Sequence, residues 1–116
     1  MSVIDEKLLD QLSELIGGDQ ASLFELIETF IEEGRDMILE MNASLGIKDL
    51  DSLRRCAHSM KSSSQDFGAV DLSELNATLE SQCKNSWPST ANQQVSVISD
   101  KFDEASEALA EYISQQ

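Results

Sequence analysis

The chain has 116 residues, of which 41% are hydrophobic and 26% charged, a composition typical of one globular domain rather than of a disordered segment. Its 22 acidic residues outnumber the 8 basic ones, and the net charge is -14. This excess excludes nucleic acid and anionic membrane surfaces as expected partners, because both require a basic surface. No apolar run approaches the ~20 residues of a membrane span, and residues 1–6 lack the pattern of a signal peptide. We therefore expect residues 1–116 to form one cytoplasmic domain.

Hydrophobic residues recur at steps of three and four along the chain, which predicts amphipathic helices. A short helix at about residues 5–16 is followed by four longer helices at about residues 20–45, 49–67, 71–86 and 90–114. Gly46 is predicted to end the second of these five helices, and Asp71 with Glu74 to open the fourth as a capping box. Because the loops are short, the sequence predicts an all-α fold: an antiparallel four-helix bundle with a short additional N-terminal helix.

The two cysteines, Cys56 and Cys83, are expected to be buried free thiols, since the sequence carries no sign of secretion. Together with the single histidine they match no zinc-binding pattern. The sequence also lacks a Ser/His/Asp pattern and a glycine-rich phosphate loop. We therefore predict no metal site and no cofactor.

That single histidine, His58, belongs to the third predicted helix, whose apolar stripe is formed by Leu50, Leu53, Ala57, Met60, Ser64 and Phe67. At about 100° per residue, His58 lies roughly 130° from the centre of this stripe, so its imidazole is predicted to face solvent. The side chains within about 60° of it on the helical wheel are Arg54, Lys61, Ser62 and Gln65. The exposed imidazole thus has one cation a turn before it and another a turn after it.

This arrangement indicates a site for an anionic group, and most simply for a phosphoryl group carried by the imidazole. An imidazole is a competent nucleophile near neutral pH, and Arg54 and Lys61 would stabilise the negative charge of the phosphoryl group. The alternative is an ordinary surface histidine beside solvated cations. The phosphoryl interpretation is favoured because three of the 8 cations (Arg54, Arg55 and Lys61) lie within four residues of His58 in an acidic chain. The imidazole has no acidic cluster to bind Mg²⁺, so we expect the partner to supply that metal.

Residues 57–64 (AHSMKSSS), followed by Phe67-Gly68-Ala69, resemble the signature of the histidine phosphotransfer (HPt) domains of bacterial phosphorelays. That signature is roughly A-H-x-L-K-G-S-S-x-x-x-G-A. The resemblance extends upstream to residues 26–33 and 53–55 and downstream to Leu72, Leu75, Leu79-Glu80 and Lys84, so that it covers about residues 19–85. It implies the four-helix bundle of that family and phosphorylation of a histidine.

Carried over by position, the resemblance implies that His58 is phosphorylated on its distal ring nitrogen and that Lys61 stabilises the phosphoryl group. Ser62 stands where the family usually has Gly, a position at which a small residue admits the active site of the partner. Glu80, on the next helix, would orient the imidazole through its proximal nitrogen. Lys84 would add positive charge to the same surface, and Gln65 lies near the imidazole on the wheel.

Two functional hypotheses follow. In the first, the chain is a monomeric phosphocarrier without catalytic turnover. It would take a phosphoryl group from the receiver domain of a hybrid sensor kinase and pass it to the receiver domain of a response regulator, with Mg²⁺ bound by the receiver. The partner would dock around His58 and on the helix that carries Leu23, Phe24 and Ile27. In the second, the chain is a helical adaptor or inhibitor, and His58 is only a contact residue.

Overall fold

The computed structural model describes residues 3–115, which form five helices and no strand. The helices are α1 (Glu6–Leu15), α2 (Gln20–Ile47), α3 (Leu50–Asp66), α4 (Val70–Gln82) and α5 (Ala91–Ser114). Helices α2 to α5 form a closed bundle in which each packs against its neighbours in the sequence and α5 packs back against α2. Helix α1 packs against α2 and α3. The predicted all-α bundle is confirmed, and no helix within residues 3–115 is long and apolar enough to cross a membrane.

Two helices, α2 and α4, differ most from the prediction at their ends. Helix α2 continues past Gly46 to Ile47, and Lys48 ends it in the left-handed conformation at φ 52°. Helix α4 begins at Val70 and ends at Gln82, so the capping box predicted at Asp71 is wrong: Ala69 is the N-cap residue and Asp71 lies in the first turn. Only three residues separate α3 from α4, and this tight turn starts the helix before Asp71 is reached.

The bundle core contains one aromatic cluster, in which the Phe30 ring stacks on Phe67 with centroids 4.7 Å apart and lies 5.9 Å from Phe102. Gly34 faces Phe102 across the α2–α5 contact, and a Cβ atom at this position would overlap the ring. The absence of a side chain at Gly34 therefore lets these two long helices approach closely. The other large side chains that are fully buried include Leu9, Met41, Leu53, Met60, Leu72, Leu79, Ile98 and Leu109.

Gly68 fixes the turn between α3 and α4. Its φ of 81° lies in the left-handed region, which costs residues with a Cβ atom roughly 1–2 kcal/mol. A Cβ atom at this position would also lie 2.5 Å from the carbonyl oxygen of Asp5, because the Asp5 N–H donates to the Gly68 carbonyl oxygen at 2.8 Å. The position therefore requires glycine both for its backbone conformation and for the close approach of the N-terminal segment.

We predict that Gly68→Ala lowers the free energy of unfolding by at least about 1–2 kcal/mol. Gly46→Ala is the matched control, because Gly46 is helical and has no atom within 4 Å of a Cβ built on it. That control should be neutral or stabilising by up to about 1 kcal/mol. Urea unfolding followed by far-ultraviolet circular dichroism measures both, and equal effects of the two substitutions would contradict this role of Gly68.

Candidate functional site

His58 lies in the middle of α3 with 61% of its side chain exposed. The nearest residues of the apolar stripe, Ala57 and Met60, are fully buried in the core. The exposure predicted from the helical wheel is therefore confirmed. The imidazole projects from a rigid helix into solvent, where another protein can reach it.

Glu80 joins the imidazole to a lysine through one carboxylate. Its Oε2 atom lies 2.6 Å from His58 Nδ1, and its Oε1 atom accepts a hydrogen bond from Lys61 Nζ, also at 2.6 Å. The Glu80 side chain is only 20% exposed, whereas the imidazole is well exposed. A mostly buried anion thus holds an accessible ring and a neighbouring cation at once.

The packing of α3 against α4, the largest helix–helix contact of the bundle, sets this geometry. Ser73, at 6% exposure, donates from its hydroxyl to the backbone carbonyl oxygen of Lys61 at 2.8 Å. This bond fixes the turn of α3 that carries Lys61 against α4, about two turns before Glu80. Sequence reasoning missed Ser73, because a serine on a helix gives no sign of which backbone carbonyl its hydroxyl will meet.

Electrostatics keep the Glu80 carboxylate ionised. The hydrogen bond from Lys61 lowers the pKa of Glu80 from its ordinary value, and the hydrogen bond with His58 acts in the same direction, while partial burial opposes both. Since an ionised carboxylate only accepts hydrogen bonds, His58 Nδ1 must carry the proton in this pair. Among the residues that the structure describes, no hydrogen bond reaches Nε2. In the neutral ring the free lone pair is therefore on Nε2, the nitrogen that Glu80 does not contact.

The other residues predicted around the imidazole form no hydrogen bond or ion pair with His58, Lys61 or Glu80 within residues 3–115. Arg54 is 46% exposed, and its guanidinium binds Asp51 at 2.9 Å and thereby lowers the pKa of that carboxyl. Ser62 and Gln65 are exposed on α3, on the side of His58. Lys84 lies beyond the end of α4 in an exposed turn, and within residues 3–115 its side chain makes no hydrogen bond or ion pair with His58, Lys61 or Glu80.

Part of the predicted docking surface is wrong. Leu23 is 2% exposed and Ile27 is fully buried, so both belong to the core and cannot contact a partner; Phe24 is half-buried. The apolar stripe of α2 faces the bundle interior, and the antiparallel course of α2 and α3 brings a later part of α2 next to His58. The stacking of Phe30 on Phe67 shows that the early part of α2 lies level with the far end of α3.

The part of α2 beside His58 contributes Met37 and Glu40 to a shallow groove of about 500 Å³, which we call the α2–α3 groove. The other side chains that line it are Arg54, Arg55, Cys56, His58, Ser59 and Glu80. Glu40 accepts hydrogen bonds from Cys56 Sγ at 3.2 Å and from Ser52 Oγ at 3.5 Å. The sequence interpretation did not assign Met37 or Glu40 to the site. The short loop between α2 and α3 was the signal that could have found them, because it places the second half of α2 beside His58.

Cys56 and Cys83 are both buried and free, as predicted. Burial, with the Glu40 carboxylate as a second cause, raises the pKa of the Cys56 thiol to about 12. Burial also raises the pKa of Cys83. Cys56 therefore remains a thiol beside the imidazole and does not compete with it as a nucleophile. Within residues 3–115, no group of three or more histidine, cysteine, aspartate or glutamate side chains is arranged to hold a metal ion.

Residues 25–115 match the sequence profile of the family described as Hpt domain, which is more than half of the 116 residues. The chain belongs to the Hpt domain family. Its similarity to the HPt signature, inferred from residues 57–69, is thereby confirmed. An Hpt domain is a phosphocarrier that acts in histidine phosphotransfer within a phosphorelay, and Hpt domains of phosphorelays interact with receiver domains of hybrid kinases.

Solved structures share this Hpt fold. The crystal structure of histidine-containing phosphotransfer protein B (HptB) from Pseudomonas aeruginosa PAO1 has a TM-score of 0.90 and 22% sequence identity, over 98% of this chain and 96% of that chain. The HPT domain of the Hpt sensor hybrid histidine kinase from Shewanella has a TM-score of 0.76 and 16% identity, over 93% of each chain. A search of curated proteins gives no significant match.

The lowered pKa of Glu80 predicts how its contribution to stability depends on pH. A carboxyl whose pKa is lower in the folded chain stabilises the fold above its unfolded value, here 4.5, and loses that contribution as the pH falls through the lowered value. The difference in unfolding free energy between the wild type and Glu80→Gln should therefore be larger at about pH 7 than at about pH 3.

Denaturant unfolding at the two pH values measures this difference. Glu74→Gln is the control, because Glu74 is exposed on the same helix and its carboxylate makes no ion pair or hydrogen bond within residues 3–115. We expect the control to change stability little at either pH. A difference for Glu80→Gln that stays constant between the two pH values would show that the carboxylate charge does not stabilise the α3–α4 contact.

Proposed function

We propose that His58, through Nε2, accepts a phosphoryl group from the aspartyl phosphate of one receiver domain and transfers it to the aspartate of another. The observation that carries this proposal is the 2.6 Å bond between Glu80 and Nδ1, which directs the unpaired Nε2 atom of an exposed ring toward solvent. His58 is also the only histidine of this Hpt domain. His58 is therefore the one residue in this sequence that could carry the phosphoryl group in a histidine phosphotransfer.

The proposed reaction is an in-line displacement at phosphorus. The lone pair of Nε2 attacks the phosphorus, the N–P bond forms, and the bond from phosphorus to the aspartate oxygen breaks, so that aspartate leaves as a carboxylate. No proton has to leave Nε2, because Nδ1 carries the ring proton. The ring gains positive charge as the N–P bond forms, and the Glu80 carboxylate on Nδ1 stabilises it. Transfer to the second receiver is the reverse of this step.

Lys61 is proposed to stabilise the phosphoryl group. An ammonium has three donors, and the bond to Glu80 uses one of them. The others can reach a phosphoryl oxygen on the ring one helical turn away, since residues three apart on a helix are neighbours. Arg54, a turn before His58, would add a second positive charge, although its guanidinium also binds Asp51.

The chain is proposed to need no cofactor of its own, with Mg²⁺ bound by the receiver domain. The carboxylate nearest the imidazole, that of Glu80, uses one oxygen for His58 and the other for Lys61. A divalent cation would have to displace one of these partners. Mg²⁺ also prefers carboxylate and phosphate oxygens, which the aspartyl phosphate of the receiver offers.

We further propose that the chain acts as a monomeric carrier in the cytoplasm, without independent turnover. Its site is an exposed ring on a helix rather than an enclosed substrate cleft, which suits passage of a group between two proteins. The net charge of -14 opposes self-association, and two free thiols are compatible with a reducing compartment. An adaptor without phosphotransfer would have no use for a proton-bearing Nδ1 held by a partly buried carboxylate.

We predict that His58→Ala abolishes phosphoryl acceptance and changes the unfolding free energy by no more than about 0.5 kcal/mol, because the side chain is exposed and Glu80 keeps its bond to Lys61. The measurement is incubation with a receiver domain phosphorylated by radiolabelled acetyl phosphate, followed by electrophoresis. The label on the wild type should be acid-labile and stable to base. Label that persists in the variant would mean that another residue is the acceptor, and an unlabelled wild type would favour the adaptor hypothesis.

We predict that Lys61→Ala lowers the maximal transfer rate roughly ten- to hundredfold, since a hydrogen bond to a charged group contributes about 1.5–3 kcal/mol and about 1.4 kcal/mol corresponds to a factor of ten. Receiver affinity, measured by calorimetry, should be nearly unchanged, because the ammonium of Lys61 is already bonded to Glu80 and is proposed to act on the phosphoryl group. Lys101→Ala is the control: Lys101 is a partly exposed lysine of α5 that pairs with Glu104 at 3.5 Å. If rate and affinity fall equally in Lys61→Ala, Lys61 is only a contact residue.

A further inference from the structure

Arg55 lines the α2–α3 groove together with His58 and has no role in the proposed transfer step. It is exposed, and its Nε atom donates to the backbone carbonyl oxygen of Asp51 at 3.4 Å. Within residues 3–115 its guanidinium forms no ion pair with a carboxylate. Four of the five N–H donors of this side chain therefore have no protein acceptor among the described residues.

The other two cations of this region are already paired. Arg54 binds Asp51, and Lys61 binds Glu80. Glu40, the acidic residue on the opposite side of the groove, accepts hydrogen bonds from Cys56 and Ser52 instead of pairing with Arg55. Arg55 thus places an unpaired positive charge three residues from the imidazole, although the net charge of the chain is -14.

We propose that Arg55 is a docking residue that binds a carboxylate on the face of the receiver domain that approaches His58. This inference rests on the proposed function, because it needs a receiver at that face. The guanidinium matches a carboxylate in bidentate geometry, and the groove of about 500 Å³ gives an acidic side chain room to enter beside the imidazole.

The charge of the expected partner supports this assignment. A receiver that presents an aspartyl phosphate and binds Mg²⁺ must hold the metal with carboxylates, so its approaching face is anionic. An overall negative chain repels such a face unless the contact surface itself carries positive charge. Arg55 supplies that charge where Arg54 and Lys61 are partly neutralised, so it favours the encounter orientation in which the groove faces the partner.

The test compares Arg55→Glu with Arg35→Glu. Arg35 is also an exposed arginine, but it lies on α2 outside the groove, and the two substitutions change the net charge equally. The probe is the receiver domain that binds the wild type most tightly within a panel from the source organism, loaded with acetyl phosphate and Mg²⁺. The second-order rate constant of transfer, the maximal rate at saturating receiver and the affinity by calorimetry are each measured at low and high NaCl concentration.

We expect Arg55→Glu to lower the second-order rate constant and the affinity at least tenfold at low salt, with a smaller loss at high salt, because salt screens exposed charges. The maximal rate should stay within twofold of the wild type. Arg35→Glu should change every value less than twofold. Arg55→Gln, which keeps a good helix former and avoids placing a glutamate one turn from Asp51, should give an intermediate loss and guards against misfolding of the reversal variant.

Equal losses in Arg55→Glu and Arg35→Glu would overturn the inference, since net charge alone would then account for both. A fall in the maximal rate as large as the fall in affinity would also overturn it, because Arg55 would then act in the transfer step. A wild type that binds receivers but is never labelled would refute the proposed function, while the affinities of the variants would still decide the role of Arg55. A panel in which no receiver binds the wild type would overturn both.

Discussion

The site depends on one carboxylate that is shared by two helices. Glu80 on α4 is bonded to both His58 and Lys61 on α3, at 2.6 Å each, and because it is largely buried these bonds are less screened by water than bonds at the surface would be. The carboxylate fixes the ring tautomer, the ring orientation and the position of the neighbouring cation together. Any change in the spacing of α3 and α4 would disturb all three, which is why the packing of these two helices matters more to the site than any other contact of the bundle.

The spacing of α3 and α4 is fixed at several points along their length. Gly68 allows a turn of only three residues, and its carbonyl oxygen accepts a hydrogen bond from the Asp5 N–H at 2.8 Å. Ser73 then joins α4 to the α3 backbone through its hydrogen bond to the carbonyl oxygen of Lys61. Leu79, the residue before Glu80, is fully buried in the core. The core thus holds polar groups at fixed positions on a rigid helical surface, so the imidazole needs no loop closure to become oriented.

The distribution of charge around the imidazole suits a carrier that must meet more than one partner. The chain is strongly acidic as a whole, yet Arg54, Arg55 and Lys61 lie within four residues of His58. Two of these cations are held by carboxylates of the same chain, which limits the local positive field. A moderate local field favours the correct orientation of an anionic partner without binding it so tightly that release becomes slow, because exposed charges mainly affect association and its salt dependence.

The sequence by itself determined the helical fold, the exposure of His58 and the family resemblance, because helical periodicity and a local motif depend only on residues close together in the chain. It also indicated Glu80 as a partner of the imidazole, through the resemblance. Only the tertiary structure decided that Glu80 bonds Lys61 as well, that Ser73 fastens the two helices, and that Met37 and Glu40 rather than Leu23 and Ile27 lie beside His58. A helical wheel gives the direction of a side chain around its own axis but not the level at which a neighbouring helix meets it, and that level is set by the turns and the packing of the whole bundle.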